Sequence, residues 1–354
     1  MELTEFINAP VIKKRSALQA QFLSAKPFRH IVIDDFFDQS FCTQLINEFP
    51  DFDEKLAINE DGIVGAKAVH EQIKGIGSSY AALDELCKSD EFRALVGEIT
   101  GIADLKHDPW YFGGGTHENR QGQSLDAHVD FNFHPRTNQH RRLNLIVYLN
   151  PEWEDSWGGS LQLHRDPYLP PSQDDIKLVT PLANRCVIFE TNDHSWHGFK
   201  RIVLPEDKKD LSRKSFALYY YTDERPVEET EPEHSTIYVE EHLPEWYQPG
   251  MTLDGEQLQH VKNLVASRDQ HLKRLYGQIM NLNEQLSALN LRLEPISDDE
   301  VEAIQPASLE QAELALQELK TRLKASQART RELEQSTSWK VTAPLRAIKK
   351  MIRD

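Results

Sequence analysis

Cysteine is scarce in this chain of 354 residues, which contains only Cys42, Cys87 and Cys186. Three widely spaced cysteines give neither a disulfide framework nor a CxxC metal site, so we expect a reducing compartment, most simply the cytoplasm. Long apolar runs are missing as well. No stretch approaches the roughly 20 apolar residues that a membrane-spanning helix needs, and residues 1–22 lack the apolar run of a signal peptide.

Basic residues are also in deficit, since 40 Lys and Arg stand against 57 Asp and Glu and leave a net charge of -17. Nucleic-acid-binding proteins usually present a basic surface, so this balance argues against nucleic acid as a partner. The hydrophobic fraction of 39% is ordinary for a protein with a sizeable core.

The region from about residue 29 to 221 contains short β-branched and aromatic runs, each bounded by Gly, Pro, Asn or Asp. They lie at residues 30–37, 143–150, 160–164, 185–190 and 215–222. Helical spacing appears at Phe41, Leu45 and Phe49. Several short strands with irregular loops predict an α+β fold, an antiparallel jelly roll with flanking helices.

Beyond residue 257, apolar residues recur every seven positions. The first series is Leu258, Val265, Leu272, Ile279, Leu286 and Leu293, and a second, Val261, Leu275, Leu282 and Leu289, is interrupted at Arg268. This pattern predicts a coiled coil through which the chain self-associates. The alternative is an amphipathic helix packed on its own N-terminal domain, but a strict 3.5-residue period favours the coiled coil.

Three regions follow from these patterns: a domain over 1–250, a coiled-coil region over 251–337 with a break near 295–307, and a tail over 338–354. A weaker heptad series from Leu309 to Leu333 predicts looser packing or an antiparallel hairpin onto the first helix. The tail is basic, with five Lys or Arg residues against Asp354 and a net +4. It predicts either an amphipathic helix on an anionic membrane surface or a solvated end that meets an acidic partner.

The tripeptide His128-Val129-Asp130 is the first candidate for chemistry. In an extended segment, residues two apart point to the same face, so both side chains can reach one ion. Two His and one carboxylate on one face of an octahedron leave three positions open, which suits Fe(II) oxygen chemistry. His194 and His197 both follow the predicted strand at 185–190, and spacing alone does not separate them as the third ligand.

Arg213 opens the last predicted strand, and its face continues through Ser215, Ala217 and Tyr219. An inward arginine can hold a carboxylate through two hydrogen bonds, with the neighbouring serine hydroxyl adding another. The alternative is an edge strand whose Arg213 and Lys214 point to water.

Five blocks in order resemble the 2-oxoglutarate and Fe(II)-dependent oxygenases of the prolyl 4-hydroxylase type. They are LDAHVDFN, RRLNLIVYLNPEW, WGGSLQLH, FETNDHSWHGF and SRKSFALYYYTDERP, between Leu125 and Pro226. The resemblance implies a double-stranded β-helix, a jelly roll in which His128, Asp130 and His197 hold Fe(II). It also implies Arg213, with Tyr148, Leu161 and Ser215, as the 2-oxoglutarate site, and it places Asn132, His134 and Tyr219 towards the substrate.

The reaction implied is decarboxylation of 2-oxoglutarate to succinate by O2, coupled to hydroxylation of a substrate C–H bond. Peptidyl proline is the expected acceptor, and a glycan or small metabolite is the alternative. A coiled-coil scaffold with a vestigial oxygenase domain is a further alternative, which the complete ligand set opposes. The tail segment SWKVTAPLRAIKK resembles the ends of bacterial surface-polysaccharide glycosyltransferases and methyltransferases, which implies a bacterial source and a peripheral location at the inner membrane.

Overall fold

The computed structural model describes residues 2–53, 56, 67–240, 243–244 and 247–292. The chain divides into two compact units, one ending at Gln270 and the other beginning at His271. The weaker heptad series, the break at 295–307 and the basic tail lie outside the described residues, so the predictions made for them stay predictions.

The strands of the first unit form two antiparallel sheets. The larger has the spatial order β1-β9-β6-β11-β4-β2, with β3 also paired to β11, and the smaller has the order β12-β5-β10-β7-β8. The strands of the larger sheet are β1 (His30–Ile33), β2 (Ala68–His70), β3 (Lys106–His107), β4 (Gly115–Asn119), β6 (His140–Tyr148), β9 (Cys186–Glu190) and β11 (Arg213–Thr222). Those of the smaller sheet are β5 (Leu125–Val129), β7 (Leu161–His164), β8 (Ile176–Val179), β10 (His197–Phe199) and β12 (Ile237–Val239). From β4 onward the chain alternates between the two sheets, with β7 and β8 as a hairpin in the smaller one.

Five helices of this unit precede β3 in the chain. They are α1 (Ala9–Lys13), α2 (Arg15–Ser24), α3 (Gln39–Asn47), α4 (Ser78–Lys88) and α5 (Asp90–Thr100). Their apolar side chains join one face of the larger sheet in a single buried core, which includes Leu83, Val96, Leu145 and Leu218. Because this face is covered, β6, β9 and β11 are buried on both sides, and their sequences are apolar runs rather than clean alternations.

Successive side chains along a strand point to opposite faces, so every second residue faces the helices and the others face the space between the sheets. In β11, Phe216, Leu218 and Tyr220 enter the helix-side core. Tyr148 at the end of β6 instead packs with Leu161 and Leu163 of the smaller sheet. The other parity of β11, which begins at Arg213, therefore faces the space between the sheets.

The antiparallel β-rich core with flanking helices is confirmed. The strands predicted at 143–150, 160–164, 185–190 and 215–222 are β6, β7, β9 and β11 with small shifts of their ends. The strand predicted at 30–37 is shorter, because Asp35 takes a left-handed φ of 50° and the chain turns there. Phe36 and Phe37 are then buried among the helices rather than in the sheet.

The C-terminal helix α6 (Gly255–Arg292) runs through most of the first heptad series. Leu258, Val265, Leu272, Leu275, Leu282 and Leu286 are each between 41% and 55% exposed. A coiled coil would cover this stripe, and its existence stays a prediction. No helix of the described residues has the length and apolarity required to cross a membrane.

Asn184 fastens the segment after β1 to the larger sheet. Its side-chain oxygen accepts a hydrogen bond from the Phe37 N–H at 2.8 Å, and its amide nitrogen donates to the Phe37 carbonyl at 2.9 Å. Asn184 is 3% exposed and has a φ of 61°, a left-handed conformation that asparagine tolerates better than most residues. One side chain thus satisfies two buried backbone groups of Phe37.

We predict that Asn184→Ala lowers the free energy of unfolding by about 2–3 kcal/mol, because it leaves a buried N–H and a buried C=O unpaired. Asn138→Ala is the matched control, since Asn138 has a similar φ of 58° but is exposed. We expect this control to lose less than about 1 kcal/mol. Urea unfolding of both variants checks the difference, and equal losses would mean that the backbone conformation, not the buried bonds, carries the effect.

Candidate metal and co-substrate site

His128 and Asp130 lie at the end of β5, and His197 is the first residue of β10. The two strands are paired so that His128 and His197 are directly opposite in register. One ligand atom from each of His128, Asp130 and His197 lies within 4.8 Å of the other two. The HxD tripeptide and the distant histidine are therefore brought to one point between the sheets.

Backbone hydrogen bonds fix the orientation of both imidazole rings. His128 Nδ1 is 2.9 Å from the Asp126 carbonyl oxygen, and His197 Nδ1 is 2.9 Å from the Ser195 carbonyl oxygen. A neutral ring that donates from Nδ1 leaves the Nε2 lone pair free. Each Nε2 faces Asp130, at 3.7 Å for His128 and 3.5 Å for His197.

The protonation states match those that a metal requires. Burial, and next the neighbouring His197, lower the pKa of His128 to about 3. Burial likewise lowers the pKa of His197, although Asp130 opposes the shift. Burial on its own would raise the pKa of Asp130, but Arg141 and the two histidines lower it well below its usual range. At neutral pH the cluster therefore offers two neutral imidazoles and one carboxylate, a donor set that fits Fe(II) with open positions.

His194 does not join this cluster. Its side chain is exposed, and its backbone N–H donates to the Asn192 side chain at 2.9 Å. The turn between β9 and β10 turns His194 towards solvent and His197 into the pairing with β5. Of the two histidines that spacing left open, His197 is the one that lies with His128 and Asp130.

Asp130 is held by two groups that sequence reasoning missed. Its Oδ2 accepts a hydrogen bond from Asn144 at 2.8 Å and lies 3.1 Å from the Arg141 guanidinium. Arg141 is 1% exposed, although by simple alternation it would share the helix-facing side of Leu143. The register of β6 against β11 shifts between Arg141 and Leu143, so an extra residue reverses the side that Arg141 faces.

Arg213 lies between the sheets as the sequence predicts. It is 5% exposed, its Nε donates to the Gly159 carbonyl at 2.6 Å, and its Nη2 donates to the Tyr148 hydroxyl at 3.1 Å. No carboxylate of the described residues lies within ion-pair distance of it, and burial lowers its pKa. A buried guanidinium without an anionic partner is costly, so an anionic ligand bound beside Arg213 would lower that cost.

The other residues expected around this pocket are also there. Tyr148, Leu161 and Ser215 are all buried, and Ser215 is paired in register with Tyr148. Gly159 has a φ of 70°, and a Cβ on it would come within 3.3 Å of Arg213 Cδ and 3.0 Å of the Trp153 ring. The Gly159 backbone can approach the guanidinium only because this residue has no side chain.

The three residues that the resemblance places towards the substrate differ in their surroundings. Tyr219 faces the site, since its ring lies 3.6 Å from the Arg141 guanidinium carbon. Asn132 instead bonds to the backbone of Pro232 and His234 at 2.8 and 2.9 Å. His134 is 2% exposed, and its Nδ1 accepts backbone N–H groups. The contacts of Asn132 and His134 are those of residues that hold loops.

Two further groups border the site without any sequence signal. Tyr238 of β12 pairs with His128, and their rings stack with centroids 5.1 Å apart. His117 of β4 is buried opposite Ser215, with Nε2 3.0 Å from the Gly113 carbonyl oxygen. Both come from strands that flank the site, and their neighbours could be known only once the strand order was known.

Comparisons with known proteins agree with this geometry. Residues 114–221 match the family model described as the 2OG-Fe(II) oxygenase superfamily. The mouse protein "Prolyl 3-hydroxylase OGFOD1" is 27% identical over 217 residues, which is 57% of this chain and 34% of the mouse protein. The chain therefore spans about a third of the length of that relative.

Among solved structures, a Trichoplax adhaerens prolyl hydroxylase in complex with a hypoxia inducible factor peptide fragment is similar at 15% identity. The match covers 61% of this chain and 94% of that one, with a TM-score of 0.43. A Pseudomonas putida prolyl-4-hydroxylase is also 15% identical, over 59% of this chain and 99% of that one, with a TM-score of 0.38. The residues that match the 2OG-Fe(II) oxygenase model include the three members of the cluster, Tyr148 and Arg213.

Proposed function

We propose that this chain is a dioxygenase that depends on Fe(II) and 2-oxoglutarate and hydroxylates a prolyl residue of a peptide or protein. The observation that carries the chemistry is the buried cluster of His128, Asp130 and His197 beside an arginine that lacks an anionic partner. The choice of proline is supported by the relative named a prolyl 3-hydroxylase, which aligns over 217 residues.

In this proposal His128, Asp130 and His197 hold Fe(II) through Nε2, a carboxylate oxygen and Nε2. Arg141 and Asn144 engage Oδ2 of Asp130, so they fix the carboxylate plane and keep it ionised. The Nδ1–H bonds to Asp126 and Ser195 hold the two imidazole planes. Outer partners of this kind orient the ligands of a metal and tune its affinity.

Arg213 binds the distal carboxylate of 2-oxoglutarate, with the Tyr148 and Ser215 hydroxyls beside it. Leu161 and Phe199 close the pocket on the side of the smaller sheet, and Phe199 lies 4.3 Å from the guanidinium carbon. Water is thereby kept from the ion pair, which strengthens it. When bound, Fe(II) with 2-oxoglutarate and O2 supplies the oxidation: the substrate C–H becomes C–OH while 2-oxoglutarate becomes succinate and CO2.

The proposal also includes self-association through α6. The exposed stripe follows the heptad positions, and an apolar stripe of this length on one helix is costly to leave in water. A cytoplasmic location, with the basic tail at a membrane surface, remains a proposal that rests on composition alone.

We predict that His197→Ala and Asp130→Ala lower succinate formation by more than about a hundredfold, since loss of even an outer partner of a metal ligand costs 10–100-fold. His194→Ala is the control, because it removes the same side chain from an exposed position three residues away. Iron content after anaerobic gel filtration and succinate formation with added Fe(II) are the measurements. Equal turnover in His197→Ala and His194→Ala would contradict the proposal that His197 is a metal ligand.

We predict that Arg213→Met raises the apparent KM for 2-oxoglutarate by about a hundredfold, because truncating one partner of a buried charge pair costs about 2–5 kcal/mol. Lys214→Met is the matched control, since its ammonium lies over the Phe49 ring on the opposite side of β11. Iron retention should not change in either variant. An unchanged KM in Arg213→Met would show that the co-substrate binds elsewhere.

We predict that the wild-type chain is oligomeric and that Leu272→Asp raises the dissociation constant at least about tenfold, because a carboxylate would be buried in the seam. Gln270→Asp places the same carboxylate on the outer side of α6 and should change nothing. Sedimentation equilibrium checks this against the chain mass of 40.8 kDa. A wild-type chain of monomer mass at all concentrations would contradict self-association.

A further inference from the structure

Two large aromatic side chains are exposed on one short loop between β3 and β4. Trp110 and Phe112 are each 38% exposed, and only Tyr111 lies between them. Tyr111 itself is buried, with its hydroxyl donating to Asp84 at 3.1 Å. Exposing a tryptophan and a phenylalanine together costs hydrophobic free energy, and such pairs commonly mark binding surfaces.

The loop is held rigidly in this conformation. The Asp108 carboxylate accepts hydrogen bonds from the Trp110 and Phe112 N–H groups at 2.9 and 2.7 Å. The Gly113 N–H donates to the Glu71 carboxylate at 2.8 Å, and the Gly113 carbonyl accepts from the Tyr219 hydroxyl at 2.9 Å. A surface that is already ordered loses little entropy when a ligand binds to it.

This aromatic loop is continuous with the metal cluster. Phe112 packs edge-on against Phe131 with ring centroids 5.6 Å apart, and Phe131 directly follows the ligand Asp130. The Arg141 guanidinium that holds Asp130 lies 4.5 Å from the Phe131 ring. A chain lying on Trp110 and Phe112 would therefore be led towards the cluster along Phe131.

The positively charged side chain of Arg136 lies at the far end of the same surface. The exposed Arg136 guanidinium lies 5.0 Å from the Trp110 ring centroid, and within the described part of the chain no carboxylate pairs with it. A carboxylate bound there would sit about one or two residues along an extended peptide from a side chain packed on Trp110. The proximity of Arg136 to Trp110 therefore suits a peptide in which an apolar residue has an acidic neighbour.

We propose that Trp110, Phe112, Phe131 and Arg136 form a recognition surface for an extended peptide segment that carries an apolar residue next to Asp or Glu. The inference rests on the proposed peptide hydroxylase function and names the sequence context that it selects. The aromatic rings pack against the apolar residue, and Arg136 pairs with the acidic one. Arg136 adds selectivity mainly, because exposed ion pairs contribute little affinity.

The test uses the full-length protein loaded with Mn(II) in place of Fe(II) and with 2-oxoglutarate. In this form the protein can bind a peptide without hydroxylating it. Each fluorescein-labelled peptide carries one proline and one Leu-Glu pair, and the position of the pair before or after the proline changes from peptide to peptide. A parallel set carries Leu-Lys in place of Leu-Glu. Fluorescence anisotropy should show tightest binding by one Leu-Glu register. Trp110→Ala and Phe112→Ala should each weaken that binding about tenfold, as a central aromatic contact does.

Leu178→Ala is the matched control, since Leu178 is 50% exposed on the edge strand β8. Arg136→Glu should weaken the Leu-Glu peptide about fivefold and strengthen the Leu-Lys peptide, an inversion that a folding defect does not produce. Urea midpoints should be the same for all four variants.

Three results would each contradict the proposed recognition surface. They are that no peptide binds, that Trp110→Ala binds peptide as tightly as Leu178→Ala, or that Arg136→Glu leaves the preference for Leu-Glu over Leu-Lys unchanged. Loss of self-association in Trp110→Ala, with peptide binding intact, would identify the surface as a contact between chains and also overturn it. Succinate formation in the absence of peptide is measured on the same variants and should not change. A wild-type protein that forms no succinate would contradict the proposed function, while the anisotropy results would still decide the surface.

Discussion

The site depends on keeping the Asp130 carboxylate ionised in the space between two sheets. Burial alone would protonate it, and a protonated acid is a poor metal ligand. Arg141 reverses this effect from 3.1 Å, but a buried arginine has its own desolvation cost. The pair is therefore stable only because Asn144 and the rings of Tyr219 and Phe131 also surround it. Arg141 and Asp130 therefore form one unit, because replacing either by an apolar residue would leave the other as an unpaired buried charge.

The larger sheet makes this arrangement possible because each of its central strands has one face under the helices and the other towards the smaller sheet. Apolar side chains fill the first face, and the polar groups of the site occupy the second. The shift of register in β6 departs from this separation at a single place. It turns Arg141 inward beside Asp130, where strict alternation would have sent it towards the helices. A local irregularity of the ladder thus completes the electrostatics of the site.

Alternation and turn signals were sufficient to predict five of the twelve strands in the described residues, β1, β6, β7, β9 and β11, because tertiary contacts did not override those signals. The HxD pair and Arg213 could also be predicted, since each depends on parity within a single strand. Arg141 could not, because its direction is set by the pairing of β6 with β11. His194 and His197 could not be separated by spacing, because a three-residue difference within a turn does not determine which residue begins the next strand. For Asn132 and His134, the sequence position beside the ligands predicts proximity, but Asn132 is hydrogen-bonded to a distant loop and His134 to the backbone of its own turn.

Charge explains why the proposed metal and co-substrate would bind together at this site. Without them, the buried groups are one carboxylate, Asp130, and two guanidiniums, Arg141 and Arg213, and the Lys67 ammonium also acts on all three, so positive charge is in surplus in this region. A divalent cation alone would add two positive charges to that surplus, and a dianionic oxoacid alone would remove two. Bound as a pair they add no net charge, so each lowers the electrostatic cost of binding the other. In the proposed binding mode the two carboxylates of the oxoacid have different partners, since one lies at Arg213 and the other end lies towards the histidine cluster. A site with this charge balance therefore favours binding of both components together.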